Sequence, residues 1–181
     1  MKALLIAVVA GAGLLVGAAS AEAHTFTIRG DSKTGSFYVK RDGTLRGAIE
    51  AFGRPGDRRR RYGGSTCVVR WPRHGLVMHF YNLGGHNACR ASYGFFSHAR
   101  ARGPHWRTNR DLAIGDRGRR LRRLYPGADR HAAEPGYWPA GWWLLRRWSP
   151  VGAGGYYPGL LATVEDRHVT AFHVRYAAGG D

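Results

Sequence analysis

The densest group of side chains suited to molecular recognition lies between residues 137 and 157. Tryptophan and arginine are enriched at binding hot spots, and a rigid strand presents them at a low ordering cost. On a strand, Trp142 and Trp143 point to opposite faces, so one face can enter the core while the other is exposed. The alternative is that both faces of this strand are buried, because a helix and a second, similar unit of the chain cover them. The predicted binding residues are Trp138, Trp142, Trp143, Arg146, Trp148, Tyr156 and Tyr157.

Two groups of arginines form a second candidate site. One group follows Pro55, Gly56 and Asp57 and is predicted to lie on an exposed loop, and the other lines the polar side of a predicted helix. Their charge would let them hold an acidic polymer or an acidic partner. The alternative, a solvated surface without a ligand, is favoured because a one-sided helix must direct its charges towards water. These residues are Arg58, Arg59, Arg60, Arg61, Arg119, Arg120, Arg122 and Arg123.

The spacing of the histidines does not predict a metal site. His168 and His173 fall on opposite faces of a predicted strand, and no HxH or HxxxH pair falls on a predicted helix. The few carboxylates are scattered, and the Gly30-Asp31-Ser32 sequence lacks the strand, elbow and helix of an esterase nucleophile. The sequence therefore predicts a protein with no metal site, no cofactor and no catalytic residues.

The N-terminal segment has the three parts of a secretory signal peptide. Lys2 precedes an apolar run over residues 3–16, and Ala21, Glu22 and Ala23 form a small-x-small cleavage site. A membrane-anchoring helix is disfavoured because glycines interrupt the run and no basic flank follows it. We therefore predict a signal peptide over residues 1–23, cleavage after Ala23, and a mature chain in the extracellular space or the cell envelope.

The chain is strongly basic, with a formal net charge of +16. Removing Lys2 and Glu22 with the signal peptide leaves this charge unchanged, because one cation and one anion are lost together. Such a charge favours acidic cell-wall polymers and anionic lipid surfaces as partners. Nucleic acid is disfavoured, because exported proteins rarely meet it and no recognised binding module accompanies the arginines.

The only two cysteines, Cys67 and Cys89, lie in the part of the chain that is predicted to be exported. An oxidising compartment favours a disulfide between them. Closing a loop of this length contributes about 3 kcal/mol in the loop-entropy model. A reactive thiol or a metal ligand would need a neighbouring base or further ligands, and neither is evident.

Two short amphipathic helices are predicted. Apolar residues recur at i, i+3, i+4 and i+7 over residues 45–52, with Thr44 as the N-cap and Gly53 at the end. A second helix is predicted from Asp116, its N-cap, with Leu121, Leu124 and Tyr125 on its inward face and Pro126 and Gly127 at its end.

Three strand-like runs follow each predicted helix. They are Cys67 to Trp71, Leu76 to Asn82 and Tyr93 to Ala101 after the first, and Trp142 to Trp148, Leu160 to Asp166 and His168 to Tyr176 after the second. The order predicts an α+β protein of two tandem modules, each a short helix packed on a three- to four-stranded antiparallel meander sheet. The predicted domains are residues 24–107, with an N-terminal extension, and residues 108–181.

This plan resembles the tandem modules of the β-lactamase-inhibitory-protein-like fold and, more loosely, small outer-membrane assembly lipoproteins of the BamE type. The second copy carries the resemblance through its helix entry at 112–116, its helix end at 121–126 and its closing hairpin at 162–172. The resemblance implies action through protein surfaces and not catalysis, and in the inhibitors that surface is a concave sheet rich in aromatic residues. The strong basic charge departs from the inhibitors, so their β-lactamase target is not carried over.

The leading hypothesis is a secreted, non-catalytic protein that binds another macromolecule, an extracellular or envelope protein, through an aromatic and arginine-rich sheet surface. The first alternative is electrostatic binding to anionic cell-wall polymers or surfaces. The second is a secreted hydrolase with an unfamiliar site.

Overall fold

The computed structural model describes residues 25–149 and 154–176, so the predicted signal peptide lies outside the described residues. The α-helices are α1 (Val39–Asp42), α2 (Leu45–Phe52) and α3 (Gly118–Leu124), and two short 3-10 helices lie at Tyr62–Gly64 and Pro72–His74. The strands are β1 (Phe26–Arg29), β2 (Lys33–Thr34), β3 (Phe37–Tyr38), β4 (Asp57–Arg61), β5 (Thr66–Trp71), β6 (Leu76–Tyr81), β7 (Phe95–Ala101), β8 (Trp106–Thr108), β9 (Asp129–His131), β10 (Gly141–Ser149), β11 (Gly155–Glu165) and β12 (His168–Arg175).

The prediction of two α+β modules is wrong. The described part of the chain is mostly β, with 48% of its residues in strands and 17% in helices. Its strands form a four-stranded sheet in the order β3-β2-β1-β8 and an eight-stranded sheet in the order β4-β5-β6-β7-β12-β11-β10-β9. A helix does precede each run of four strands, but β7 pairs with β12 and joins the two runs into one sheet. This pairing removes two exposed strand edges, which two separate meanders would have left open.

The six predicted strands are confirmed as β5, β6, β7, β10, β11 and β12, although β11 begins at Gly155 and not at Leu160. The prediction of an exposed loop over Arg58 to Arg61 is wrong, because these residues belong to β4 and pair with β5. Four consecutive arginines show no apolar pattern, so the sequence does not predict a strand here. An edge strand can form without an apolar face, because its backbone pairs with the neighbouring strand.

The two predicted helix starts have different outcomes. The Thr44 hydroxyl accepts a hydrogen bond from the Gly47 amide at 3.2 Å, which confirms Thr44 as the N-cap of α2. The prediction of Asp116 as an N-cap is wrong, because Arg117 occupies that position before α3. The Asp116 carboxylate instead accepts from the Ala113 amide at 2.7 Å and pairs with Arg120 at 3.1 Å.

One face of the large sheet meets the hydrophobic core. All three α-helices contribute to this core, through Val39, Leu45 and Leu121 among others, and the small sheet contributes Phe37 and Trp106. The opposite face of the large sheet is therefore left without a covering helix in the described ranges. Among the described helices, none has the length and the apolar character that a membrane span requires.

An ion pair connects the two sheets. Arg147 on β10 donates two hydrogen bonds to Asp31 in the β1–β2 turn, at 2.7 and 2.8 Å. The Asp31 carboxylate raises the pKa of Arg147 through these bonds. This bidentate contact orients the small sheet against the second half of the large one.

The predicted disulfide is confirmed, since Cys67 and Cys89 are joined. Cys67 lies fully buried on β5, and Cys89 lies in the long connection between β6 and β7. That connection also reaches α2, where the Gly94 carbonyl accepts a hydrogen bond from the Leu45 amide at 2.8 Å. The disulfide thus fastens the connection to the sheet.

Removing the disulfide should lower the free energy of unfolding. For Cys67→Ala/Cys89→Ala we expect a loss of about 3 kcal/mol, because the unfolded chain regains the entropy of an open loop. Urea denaturation measures the loss, and the wild type under reducing conditions is the control. A loss below about 1 kcal/mol in both samples would contradict the assigned role.

Candidate functional site

The side of the large sheet that faces away from the core carries a basic face. Residues that are directly opposite on neighbouring strands share a face. In one cross-strand row Val68, His79, His98 and Arg175 are successive partners, and in the next row Arg70, Val77, Arg100 and His173 are. We define the basic face by Arg59, Arg70, His79, His98, Arg100, His173 and Arg175.

The arginines of this face differ in how well they are neutralised. Arg70 pairs with Asp57 at 3.0 Å at the edge of the sheet. Arg175 donates to the Tyr137 carbonyl at 3.2 Å and lies 5.6 Å from the Trp138 ring. Arg100, near the middle of the face, is partly buried and makes no ion pair or side-chain hydrogen bond with the described residues. Burial lowers the pKa of the Arg100 guanidinium because it disfavours the charged form. A bound anion would stabilise that charged form and so oppose the effect of burial.

Three histidines lie among these arginines and are held neutral. The rings of His79 and His98 stack with centroids 4.0 Å apart. Burial, with the charges of Arg70 and Arg100, lowers the pKa of His79 to about 4. Burial also lowers the pKa of His98 to about 3 and that of His173 to about 4. Near neutral pH the positive charge of the face therefore comes from its arginines.

Histidine chemistry on this face does not fit a hydrolase. The Ser97 hydroxyl lies 3.0 Å from Nδ1 of His98, but the two are neighbours in sequence and no described carboxylate contacts the ring. A histidine with a pKa of about 3 is also a poor general base near neutral pH. Among the described residues no group of three or more His, Cys, Asp or Glu side chains could hold a metal ion.

An aromatic cluster closes one end of the basic face. Trp143 is only 7% exposed, stacks on His131 with centroids 3.8 Å apart, and meets the edge of Trp138 at 5.5 Å. Nε1 of Trp143 and Nε2 of His131 are buried without a hydrogen-bond partner. Trp138 and Tyr137 come from the connection between β9 and β10, which folds over this end of the sheet.

The other predicted aromatic and arginine residues do not join that cluster. Trp142 lies on the core side and lines a cleft beside α3. Trp148 and Tyr156 are exposed and pack edge to face at 5.1 Å near the far end of the β10–β11 hairpin, and Tyr157 is partly buried. Arg146 pairs with Asp129. Register shifts between Trp143 and Arg146 break the strict alternation that the sequence pattern assumed.

The predicted polyanion residues form two separate groups. Arg58, Arg59, Arg60 and Arg61 lie on β4, one edge of the large sheet, whereas Arg119, Arg120, Arg122 and Arg123 lie on α3, over the other half. Arg120 is held by Asp111 at 3.0 Å and by Asp116 at 3.1 Å. Arg119 and Arg122 line the same cleft as Trp142.

Sequence reasoning missed the centre of the basic face. Arg100 and His98 occupy alternate positions of β7, and His173 and Arg175 do so on β12. The sequence shows this alternation on each strand. The four residues form one patch only because β7 pairs with β12. Because that pairing is not encoded by either strand alone, spacing along the chain could not bring these residues together.

Comparison of the chain with family models, with curated proteins and with solved structures finds no match.

Stability should fall on mild acidification because of the buried histidines. Their pKa is 6.5 when unperturbed and about 3 to 4 in the fold, so the unfolded chain binds more protons between these values. Each histidine removes up to about 1.4 kcal/mol of unfolding free energy per pH unit over that window. Urea denaturation at about pH 7 and about pH 5 measures the change before the carboxylates titrate.

The control is His79→Gln/His98→Gln, which should reduce this pH dependence by removing two of the three sensitive groups. A wild-type unfolding free energy that is equal at the two pH values would contradict the buried, neutral state of the three rings.

Proposed function

We propose that this chain is an exported, non-catalytic binding protein that holds an acidic protein partner against the basic face. The main support is Arg100, a partly buried cation at the middle of a sheet face with no described carboxylate to neutralise it. A cation that is partly desolvated and unpaired in the free protein gains most from a carboxylate supplied by another molecule.

The surroundings of Arg100 suit a protein interface. His79, His98 and His173 are neutral near physiological pH, so the face mixes charged, neutral polar and apolar groups such as Val77. Interfaces are enriched in arginine and aromatic residues, and the Tyr137–Trp138 cluster borders the face. Because the arginines stand on paired strands, little ordering is needed on binding.

Export is part of the proposal. A disulfide between Cys67 and Cys89 fits an oxidising compartment. The signal-like sequence over residues 1–23 would deliver the chain there. The net charge of +16 would further attract an acidic partner at a distance.

The test compares immobilised wild type, Arg100→Gln and Arg60→Gln as affinity matrices for extracellular and envelope proteins. Arg60 lies on the edge strand β4 and is exposed, so it is a charge-matched control outside the basic face. We expect an acidic protein that is retained by the wild type and by Arg60→Gln and is lost with Arg100→Gln. Arg100→Gln should keep or slightly raise the free energy of unfolding, because it removes an unpaired charge that is partly desolvated.

Two results would contradict the proposal. One is an identical set of captured proteins on all three matrices, which would mean that capture follows total charge. The other is unfolding of Arg100→Gln at lower urea concentration than the wild type, which would assign Arg100 a structural role.

A second candidate function is electrostatic attachment to an anionic cell-wall polymer, and the β4 edge favours it. Arg58, Arg60 and Arg61 are exposed along one edge strand, and only Arg59 among these neighbours pairs with Asp57. Sedimentation with purified cell walls at about 0.05 M and about 0.5 M salt tests this function, because screening releases exposed charges. Arg58→Gln/Arg60→Gln should weaken such binding, and binding that persists at high salt would contradict it.

A further inference from the structure

A second basic site lies on the core side of the large sheet, away from the basic face. It is a cleft of about 1070 Å³ between α3, the β9–β10 edge and the β11–β12 turn. This volume is close to the upper end of the range of small-molecule sites, roughly 1,000 Å³. Its charged lining consists of Arg117, Arg119, Arg122, Arg130, Arg167 and Asp166.

The charges of the cleft are unbalanced. Asp166 is the one carboxylate in the lining, and it faces five arginines. None of the five makes an ion pair with a described residue. An anion that enters the cleft would therefore meet several guanidinium groups that no described carboxylate already engages.

Carboxylates on neighbouring elements pair with arginines that do not line the cleft. Arg120 on the same helix pairs with Asp111 and Asp116, and Arg146 on β10 pairs with Asp129. Asp111, Asp116 and Asp129 are therefore engaged outside the cleft, and Arg119 and Arg122 make no ion pair with a described residue.

The cleft also has an aromatic wall. Trp142 lines it and is partly buried, and no other aromatic ring of the described residues stacks on its indole. Val164 adds an apolar contact on the neighbouring strand. An indole face presents a large, flat apolar surface, against which the C–H face of a sugar ring can pack.

We propose that this cleft binds an anionic saccharide, with a sugar ring against Trp142 and its carboxylate or phosphate groups on Arg119, Arg122 and Arg130. Guanidinium groups recognise both anions through paired N–H donors. The site is independent of the proposed protein-binding face, because it lies on the opposite side of the sheet.

Calorimetric titration of the full mature protein tests the proposal with five probes. Trigalacturonic acid carries carboxylates and glucose 1,6-bisphosphate carries phosphates, so these two arms separate the sources of the anion. Maltotriose is the neutral sugar control, tripolyphosphate the anion without a ring, and ATP the anion with a planar base. We expect one of the two anionic saccharides to bind most tightly, at least about tenfold more tightly than maltotriose and tripolyphosphate.

Variants locate the site. Arg119→Gln/Arg122→Gln removes two exposed charges from the cleft and should weaken saccharide binding at least about tenfold. Arg54→Gln/Arg90→Gln removes the same charge at two exposed arginines that lie outside the cleft and make no described ion pair, and it should change the affinity less than about twofold. Trp142→Leu should lower the preference for the saccharide over tripolyphosphate, with folding checked by circular dichroism.

Three outcomes would overturn the proposal. Equal weakening in the two double variants would mean that the saccharide follows net charge. Equal or tighter binding of tripolyphosphate would leave a general anion patch without sugar recognition. Tighter binding of ATP than of either saccharide would assign the cleft to a nucleotide.

Discussion

The pairing of β7 with β12 determines the rest of this architecture. The residues involved, 98–101 and 172–175, are distant in sequence, and their ladder joins two four-stranded runs into one sheet. Because the sheet is continuous, its helices and the small sheet all pack on one side. The other side then collects alternate residues of neighbouring strands, and on β6, β7 and β12 these include His79, His98, Arg100, His173 and Arg175.

The chain has too few carboxylates to pair with all of its arginines, and the positions of those carboxylates determine which arginines stay unpaired. The chain has 28 lysines and arginines against 12 aspartates and glutamates. Asp31 joins the two sheets through Arg147, and Asp116 ties Arg120 to the start of α3. Carboxylates engaged in such structural pairs cannot neutralise Arg100 or the arginines of the α3 cleft. Arg100 and the arginines of the α3 cleft are thus unpaired cations on two separate surfaces, and both surfaces are complementary to acidic ligands.

Local features of the fold were predictable from the sequence, and long-range ones were not. Thr44 as a cap, the Cys67–Cys89 disulfide and the six apolar strands follow from nearby residues or from simple pairing. The single sheet was missed because period-two patterning does not say which strand edges meet. Alternation along the Trp142–Trp148 strand predicted only part of which side chains share a face, because a bulge shifts its register. The polar strand β4 was missed because the strand propensity of its residues is low. Pairing with β5 stabilises it, and residue propensities do not report such pairing.

Amide hydrogen exchange measured by NMR tests the single sheet most directly. If β7 and β12 pair at its centre, hydrogen-bonded amides over residues 98–101 and 172–175 should be among the slowest to exchange, about 100-fold slower than those of the edge strands β4 and β9. Exchange at β7 and β12 as fast as at those edges would contradict the central claim, because each strand would then be an edge itself.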